Sequence, residues 1–144
     1  MSQLFEALKH LVMEYKIHPI LVNFTAALVP VSLFSDVVGR AIGKKSLEEV
    51  GLWSLFYAAC VTPLTAAAGW LFWMKDDVGV PGMAIHKWLG MALAALIPLL
   101  ALWRWRFYAR GRQPSRIYLA AGALILAALI YQGNSGGAQV FSGM

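Results

Sequence analysis

The sequence is poor in charged residues and in cysteine. Only 13% of its 144 residues are charged and 60% are hydrophobic, a balance that a soluble domain of this size could not bury in one core. The single cysteine, Cys60, excludes an intramolecular disulfide, and its place in an apolar run predicts a buried, inert thiol. The N-terminus lacks the features of a removable signal peptide. We therefore expect the lipid bilayer to be the solvent of this chain.

Motifs that would indicate hydrolytic or nucleotide-dependent chemistry are also missing. There is no Ser-His-acid set, no phosphate-binding or dinucleotide-binding glycine loop, no metalloprotease motif and no cysteine pair for an iron–sulfur cluster. The formal net charge is +5, but the basic residues stand in the short segments between apolar runs. They predict membrane topology and not a nucleic-acid partner. An electron carrier or accessory subunit is expected in preference to an enzyme.

Four apolar runs each approach the roughly 20 residues that are needed to cross a bilayer. The predicted spans are residues 19–39, 53–73, 85–105 and 117–131. Before them, leucines at helical spacing predict an amphipathic helix within residues 1–16 that lies on the membrane surface. After them, residues 132–144 are predicted to unwind into a Gly-rich tail. The predicted fold is all-α, a single-domain integral membrane four-helix bundle with an N-terminal interfacial helix.

Basic residues are unequally divided between the two faces of this bundle. The face that carries both termini has Lys9, Lys16, Lys75 and Lys87. The opposite face has Arg40, Lys44, Lys45, Arg104, Arg106, Arg110, Arg112 and Arg116. Since cytoplasmic loops are richer in Lys and Arg, the second face is predicted to be cytoplasmic. We expect a multi-pass protein of a bacterial inner membrane, with both termini and the tail in the periplasm.

Two of the three histidines occupy matching places, because His18 opens the first span and His86 opens the third. Odd-numbered spans run in the same direction, so both imidazoles are predicted at a similar depth in one leaflet, on helices that can be neighbours. A helix N-terminus disfavours the charged imidazolium, which helps to keep each ring able to bind a metal. This arrangement suits two axial ligands of one metal macrocycle.

Other residues near this face leave several interpretations open. Small residues such as Gly69 and Gly90 permit close approach either of a planar ring or of another helix. Lys87 is a candidate partner for haem propionates, although interfacial lysines commonly extend to the head groups. Zinc fits less well, since Asp76 and Asp77 are the only nearby carboxylates. Four methionines are alternative axial ligands or plain apolar filling: Met13, Met74, Met83 and Met91.

Asp36 is the one carboxylate within a span. It lies about 27 Å along the helix from His18, at 1.5 Å per residue, and therefore near the cytoplasmic end. Arg40, four residues later, is its expected partner. A structural ion pair is favoured over proton handling.

The order of several landmarks resembles the DUF2231 family of small bacterial four-helix membrane proteins. The similar segments are His18-Pro19-Ile20-Leu21-Val22-Asn23-Phe24-Thr25-Ala26-Ala27-Leu28, then Phe34-Ser35-Asp36, Thr65 and Gly69, His86, and the tail Gly136-Gly137-Ala138-Gln139-Val140-Phe141-Ser142-Gly143. Some members of that family are fused to Rieske-type iron–sulfur domains, so the resemblance implies electron transfer. It makes His18 and His86 candidate ligands of a b-type haem.

The leading hypothesis is a cytochrome b-like electron carrier in which His18 and His86 bind one haem b near the periplasmic face. Its expected partners are membrane lipid and other redox subunits or a periplasmic electron carrier. Two alternatives stay open: a haem-free accessory subunit of a membrane complex, and a quinone site at the same leaflet. Transport is least favoured, because no internal repeat is visible in the sequence.

Overall fold

The computed structural model describes residues 2–73 and 83–141. Within them the chain forms five α-helices and no strand, which confirms the all-α prediction. The helices are α1 (Ser2–Glu14), α2 (Ile17–Ile42), α3 (Lys45–Trp73), α4 (Met83–Ala109) and α5 (Arg116–Phe141). Each of the last four is long and apolar enough to cross a bilayer. The four predicted spans therefore correspond to four observed helices.

Two helices extend beyond the predicted spans. Helix α3 begins at Lys45 and not near Trp53; its first turn includes Glu48, a carboxylate that favours a helix N-terminus. Helix α5 does not end near Tyr131 but continues to Phe141, so the predicted Gly-rich tail is helical over most of its length. Glycine weakens a helix by about 0.5–1 kcal/mol relative to alanine, and tertiary packing outweighs that cost here, since Gly136 lies directly against another helix.

Tight turns join α2 to α3 and α4 to α5. Helix α2 is capped by Gly43, which directly follows it and whose φ of 66° is a left-handed conformation that glycine adopts without strain. The Lys44 N–H then donates to the Gly39 carbonyl at 2.8 Å. A turn this short makes α2 and α3 an antiparallel hairpin. Gly111, at φ 61°, reverses the chain in the same way between α4 and α5, which form a second hairpin.

The two hairpins pack into a ring of four helices. Helix α2 contacts α3 and α5, and α4 contacts the same two helices. Over the described residues the backbones of α2 and α4 do not approach each other closely, so the two helices lie diagonally across the ring and meet only through side chains. The core between them contains fully buried residues from each helix, including Val29, Leu55, Ile97 and Tyr118.

The outer faces of the ring are apolar. Phe34, Trp88 and Leu124 are each more than 70% exposed, as expected where lipid tails and not water surround the helices. Cys60 also lies on an exposed face, so the prediction of a thiol buried within the protein is wrong. Helix α1 packs against α2 and α3 and buries Val12.

Candidate functional site

His18 is the second residue of α2, and its ring packs against α3. Its Nδ1 lies 2.9 Å from the backbone carbonyl oxygen of Thr65. A carbonyl can only accept, so Nδ1 donates and Nε2 carries the lone pair. The ring lies over Gly69, where a Cβ would stand only 2.8 Å from the His18 Cε1. Glycine at this position is therefore required for the imidazole to reach its place.

His86, on α4, packs against α5 in a similar way. Its Nδ1 is 3.2 Å from the Ser135 hydroxyl oxygen, and that hydroxyl donates to the Gln132 carbonyl at 3.0 Å. Since the hydroxyl has one hydrogen and gives it to the carbonyl, Nδ1 of His86 must be the donor. Its Nε2 then carries the lone pair, as in His18. A Cβ on Gly136 would stand 2.8 Å from the His86 Cε1.

Both imidazoles line one cavity of about 40 Å³. Gly69, Gly90 and Lys87 line it too, so the structure brings together all five residues that the sequence suggested for a cofactor. The Lys87 ammonium lies 5.5 Å from the centre of the Trp70 ring, a cation–π distance. The histidines reach the cavity from diagonal helices, and the expectation that their helices are neighbours is wrong.

Gln132 is a cavity residue that the sequence analysis missed. Its Nε2 donates to the His86 carbonyl at 2.8 Å, which fixes the amide. Its Oε1 is buried, and no hydrogen-bond partner for it is found among the described residues. Gln132 and Ser135 fell in the stretch that was predicted to unwind. A polar residue in an apolar helix is the signal that could have identified them.

Most of the remaining candidate ligands fall outside the described side chains. Of the four methionines, Met91 lines the cavity, whereas the side chains of the other three lie outside those described, as do Asp76 and Asp77. Over the described residues, no group of three or more His, Cys, Asp or Glu side chains converges. Among the described residues that line the cavity, the atoms suited to binding iron are the two imidazole nitrogens, with oxygen acceptors behind them, and the Met91 thioether.

The sequence profile of DUF2231, described as a predicted membrane protein, matches residues 14–143. The chain belongs to this family. No curated protein and no solved structure matches it. The match begins just before His18 and includes Gly136, so the whole cavity of this DUF2231 protein lies in the part that defines the family.

Several residues of the two hairpins of this DUF2231 protein occupy corresponding positions. Positions in α2 recur in α4 at a spacing of 68 residues: His18 with His86, Pro30 with Pro98, and Asp36 with Arg104. Buried positions of α2 recur as buried positions of α4 at the same spacing: Thr25 with Leu93, Val29 with Ile97, and Leu33 with Ala101. In the second helices the spacing is 67 residues, and Thr65 corresponds to Gln132 and Gly69 to Gly136. The expectation that the chain has no internal repeat is therefore wrong.

The corresponding residues Asp36 and Arg104 form a buried ion pair at the other end of the ring. The Arg104 Nε and Nη2 each lie 2.9 Å from a different carboxylate oxygen of Asp36. Nη2 also donates to the Glu48 carbonyl at 2.8 Å, and the Tyr118 hydroxyl donates to Asp36 at 3.2 Å. Asp36 and Arg104 are 0% and 1% exposed, and this depth requires a full set of partners.

The predicted pairing of Asp36 with Arg40 is wrong. Arg40 instead donates to the Pro114 carbonyl. Asp36 points into the core, where α4 supplies the Arg104 guanidinium at the same depth. The ion-pair partner of Asp36 is therefore decided by burial in the core and not by spacing along α2.

Proposed function

We propose that this protein is an electron carrier of a bacterial inner membrane that holds one b-type haem with His18 and His86 as axial ligands. The observation that supports this most directly is the pair of imidazoles, which line one cavity from diagonal helices with the lone pair on Nε2 in both. His18 and His86 would hold the iron through their ring nitrogens, and the haem would supply one-electron chemistry there.

The residues behind the histidines fit this role. A histidine that binds a metal typically donates its other ring N–H to an oxygen acceptor, which fixes the ring's orientation and tautomer. The Thr65 carbonyl serves His18 in this way, and the Ser135 hydroxyl serves His86. Lys87 lies at the cavity and would offer a positive charge to a propionate.

The cavity is small in comparison with a haem. A volume of about 40 Å³ is far below the roughly 300–1,000 Å³ of a typical ligand pocket. The donor set fits a haem, whereas the cavity as it stands is too small to hold the whole group. Haem binding therefore requires the helix ends around the cavity to move apart.

The distribution of charge supports the proposed orientation. Arg104 is buried in an ion pair, so it is not counted among the basic residues of its membrane face. The face at the α2–α3 and α4–α5 turns still has more basic residues than the face with the histidines. We infer that the histidine cavity is on the periplasmic side, where a periplasmic carrier or the redox subunits of a larger complex would exchange electrons with it.

A difference spectrum tests the proposal. The full-length protein is purified in detergent from haem-replete cells, and its dithionite-reduced minus oxidised absorbance spectrum is recorded. We expect a sharp low-spin b-type signal that is lost in His18→Ala and in His86→Ala. His10→Ala is the matched control, because His10 is exposed and pairs with Glu14 on α1, and it should keep the full signal.

A folded but colourless preparation would overturn the haem assignment and leave the haem-free accessory subunit as the explanation. A quinol is the second candidate ligand. Its hydroxyl groups could donate to the buried Gln132 Oε1 and to an imidazole Nε2. Protection of the colourless protein against thermal unfolding by a short-chain quinol, lost in Gln132→Leu, would support that alternative.

A further inference from the structure

Helix α1 has three faces, and the fold accounts for two of them. Val12 is buried where α1 packs against α2 and α3, and Lys9 is partly buried on the same side. His10 and Glu14 pair with each other on an exposed polar side, which Glu6 shares at helical spacing. The third face is apolar, and the proposed electron transfer gives it no role.

This third face is a stripe of large apolar side chains. Its members recur at the i, i+4, i+7 and i+11 spacing of one helix face: Leu4, Leu8, Leu11 and Tyr15. Tyr15 directly follows α1, and its N–H still donates to the Leu11 carbonyl at 3.2 Å. Each member is between 46% and 68% exposed. At 3.6 residues per turn the stripe lies about a quarter of a turn from Val12, so it points beside the ring and not toward it.

The corner between α1 and α2 places this stripe at the membrane surface. Lys16 has φ 48° and ψ 42°, a left-handed conformation that residues other than glycine rarely adopt. It turns the chain between the two helices, and α1 packs back against α2 instead of extending its axis. Since α2 is long and apolar enough to cross the bilayer, its start lies near the level of the head groups. Helix α1 therefore lies at that level too.

The lipid leaflet is the occupant that fits the stripe. Ile20 and Phe24 of α2 are both more than half exposed, so the lipid-facing surface of the ring begins directly after the corner. Helix α1 carries Glu6 and Glu14 against Lys9, so it lacks the excess of basic residues by which many surface helices bind anionic lipid. We propose that α1 is an in-plane anchor that inserts its stripe among the acyl chains of the leaflet nearest the histidines, through apolar contact and independently of lipid charge.

Spin labels on the full-length protein in phosphatidylcholine vesicles test this proposal. Cys60→Ala removes the native thiol, and labels are then attached singly to Leu8→Cys, Leu11→Cys and His10→Cys. Power saturation measures the collisions of each label with oxygen, which concentrates among acyl chains, and with a water-soluble nickel chelate. We expect the two leucine positions to lie about 5–10 Å into the boundary of head groups and acyl chains, with oxygen collisions in excess. His10→Cys should show an excess of nickel collisions.

Two further positions calibrate the measurement. Phe34→Cys is on the lipid-facing surface of α2, where Phe34 is 71% exposed, and it should favour oxygen. Gln113→Cys is exposed in the turn between α4 and α5, and it should favour nickel. All the labelled positions are exposed, so the substitutions retain the fold. Repeating the measurement in equal parts of phosphatidylcholine and phosphatidylglycerol should leave the depth of the Leu8→Cys label unchanged.

The anchor is overturned if the Leu8→Cys label collides with nickel as often as the His10→Cys label, because the stripe would then face water. Protection of that label from both reagents would also overturn it, and dipolar broadening would then assign the stripe to a second copy of the chain. A depth that increases with phosphatidylglycerol would contradict the independence of lipid charge. None of these outcomes depends on haem, so they are separate from the test of electron transfer.

Discussion

The hairpins α2–α3 and α4–α5 place a histidine at the start of the first helix and a glycine opposite it on the second. In the first hairpin His18 donates directly to the Thr65 carbonyl at 2.9 Å. In the second, the corresponding carbonyl of Gln132 accepts from Ser135, and His86 donates to that hydroxyl. The two corresponding carbonyls therefore hold the two histidines differently: that of Thr65 accepts directly from His18, and that of Gln132 is linked to His86 through the Ser135 hydroxyl.

The two hairpins differ at their buried ion pair, Asp36 and Arg104. Corresponding positions of a repeated unit face each other across the ring, so two identical charges would meet in the core. With Asp36 in one hairpin and Arg104 in the other, the two charges compensate each other at 2.9 Å. The two hairpins thus have the same residue at the histidine positions and opposite charges at the buried pair. Both features follow from packing two similar hairpins together.

The largest expected effect comes from breaking the charged pair. Asp36→Ala or Arg104→Ala should each lower the free energy of unfolding by about 3–5 kcal/mol, because each leaves an unpaired charge in the core. The double variant Asp36→Leu/Arg104→Met should cost clearly less than the sum. Unfolding in detergent followed by tryptophan fluorescence measures these differences. A double variant as unstable as the sum of the single ones would show that the two side chains act independently.

Hydropathy alone predicted four spans, and the parallel direction of odd spans was enough to place His18 and His86 at one face. The partner of Asp36 could not be predicted in this way. It lies 68 residues away, and its choice depends on the rotation of α2 and α4 about their axes. The four-residue spacing on α2 indicated Arg40 as the partner. It contained no information about which residue of α4 lies opposite Asp36.

Helix α5 extends beyond its predicted end for a related reason. A run of glycines and polar residues near Gly133 is typical of a chain leaving a helix. Here Gly136 instead provides space for the His86 ring, and Gln132 and Ser135 bind the backbone and ring of that residue. These contacts exist only in the packed protein, and together they keep α5 helical.

An intermediate effect is expected from filling the two glycine positions. Gly69→Ala and Gly136→Ala each place a Cβ 2.8 Å from the Cε1 of a histidine, so each should cost about 1–3 kcal/mol of stability and weaken the proposed haem signal. Gly133→Ala is the control, since a Cβ there meets nothing within 4 Å, and it should be neutral or slightly stabilising. Thermal unfolding and the difference spectrum measure both. If only one of the two substitutions lowered the stability and the haem signal strongly, the two glycines would not have equivalent roles in the two hairpins.

The smallest effect should come from the acceptors behind the histidines, where the hairpins differ. Ser135→Ala removes the hydroxyl between His86 and Gln132 and should cost about 1 kcal/mol. Thr65→Ala leaves the carbonyl that binds His18 in place, so it should leave the His18 ring unaffected. In the haem-loaded protein, Ser135→Ala should raise the midpoint potential, because losing the acceptor makes the imidazole a weaker donor to the oxidised iron.

Ser135→Thr tests whether that shift belongs to the hydroxyl, since it restores the donor and acceptor and should return the potential to its original value. A potentiometric titration of the three variants beside the unaltered protein makes the comparison. If Ser135→Ala and Thr65→Ala shifted the potential equally, a general loosening of the helix ends would explain both, and the two histidines would not be held differently. A shift confined to Ser135→Ala and reversed by threonine can arise only if His86 depends on a side chain where His18 depends on the backbone.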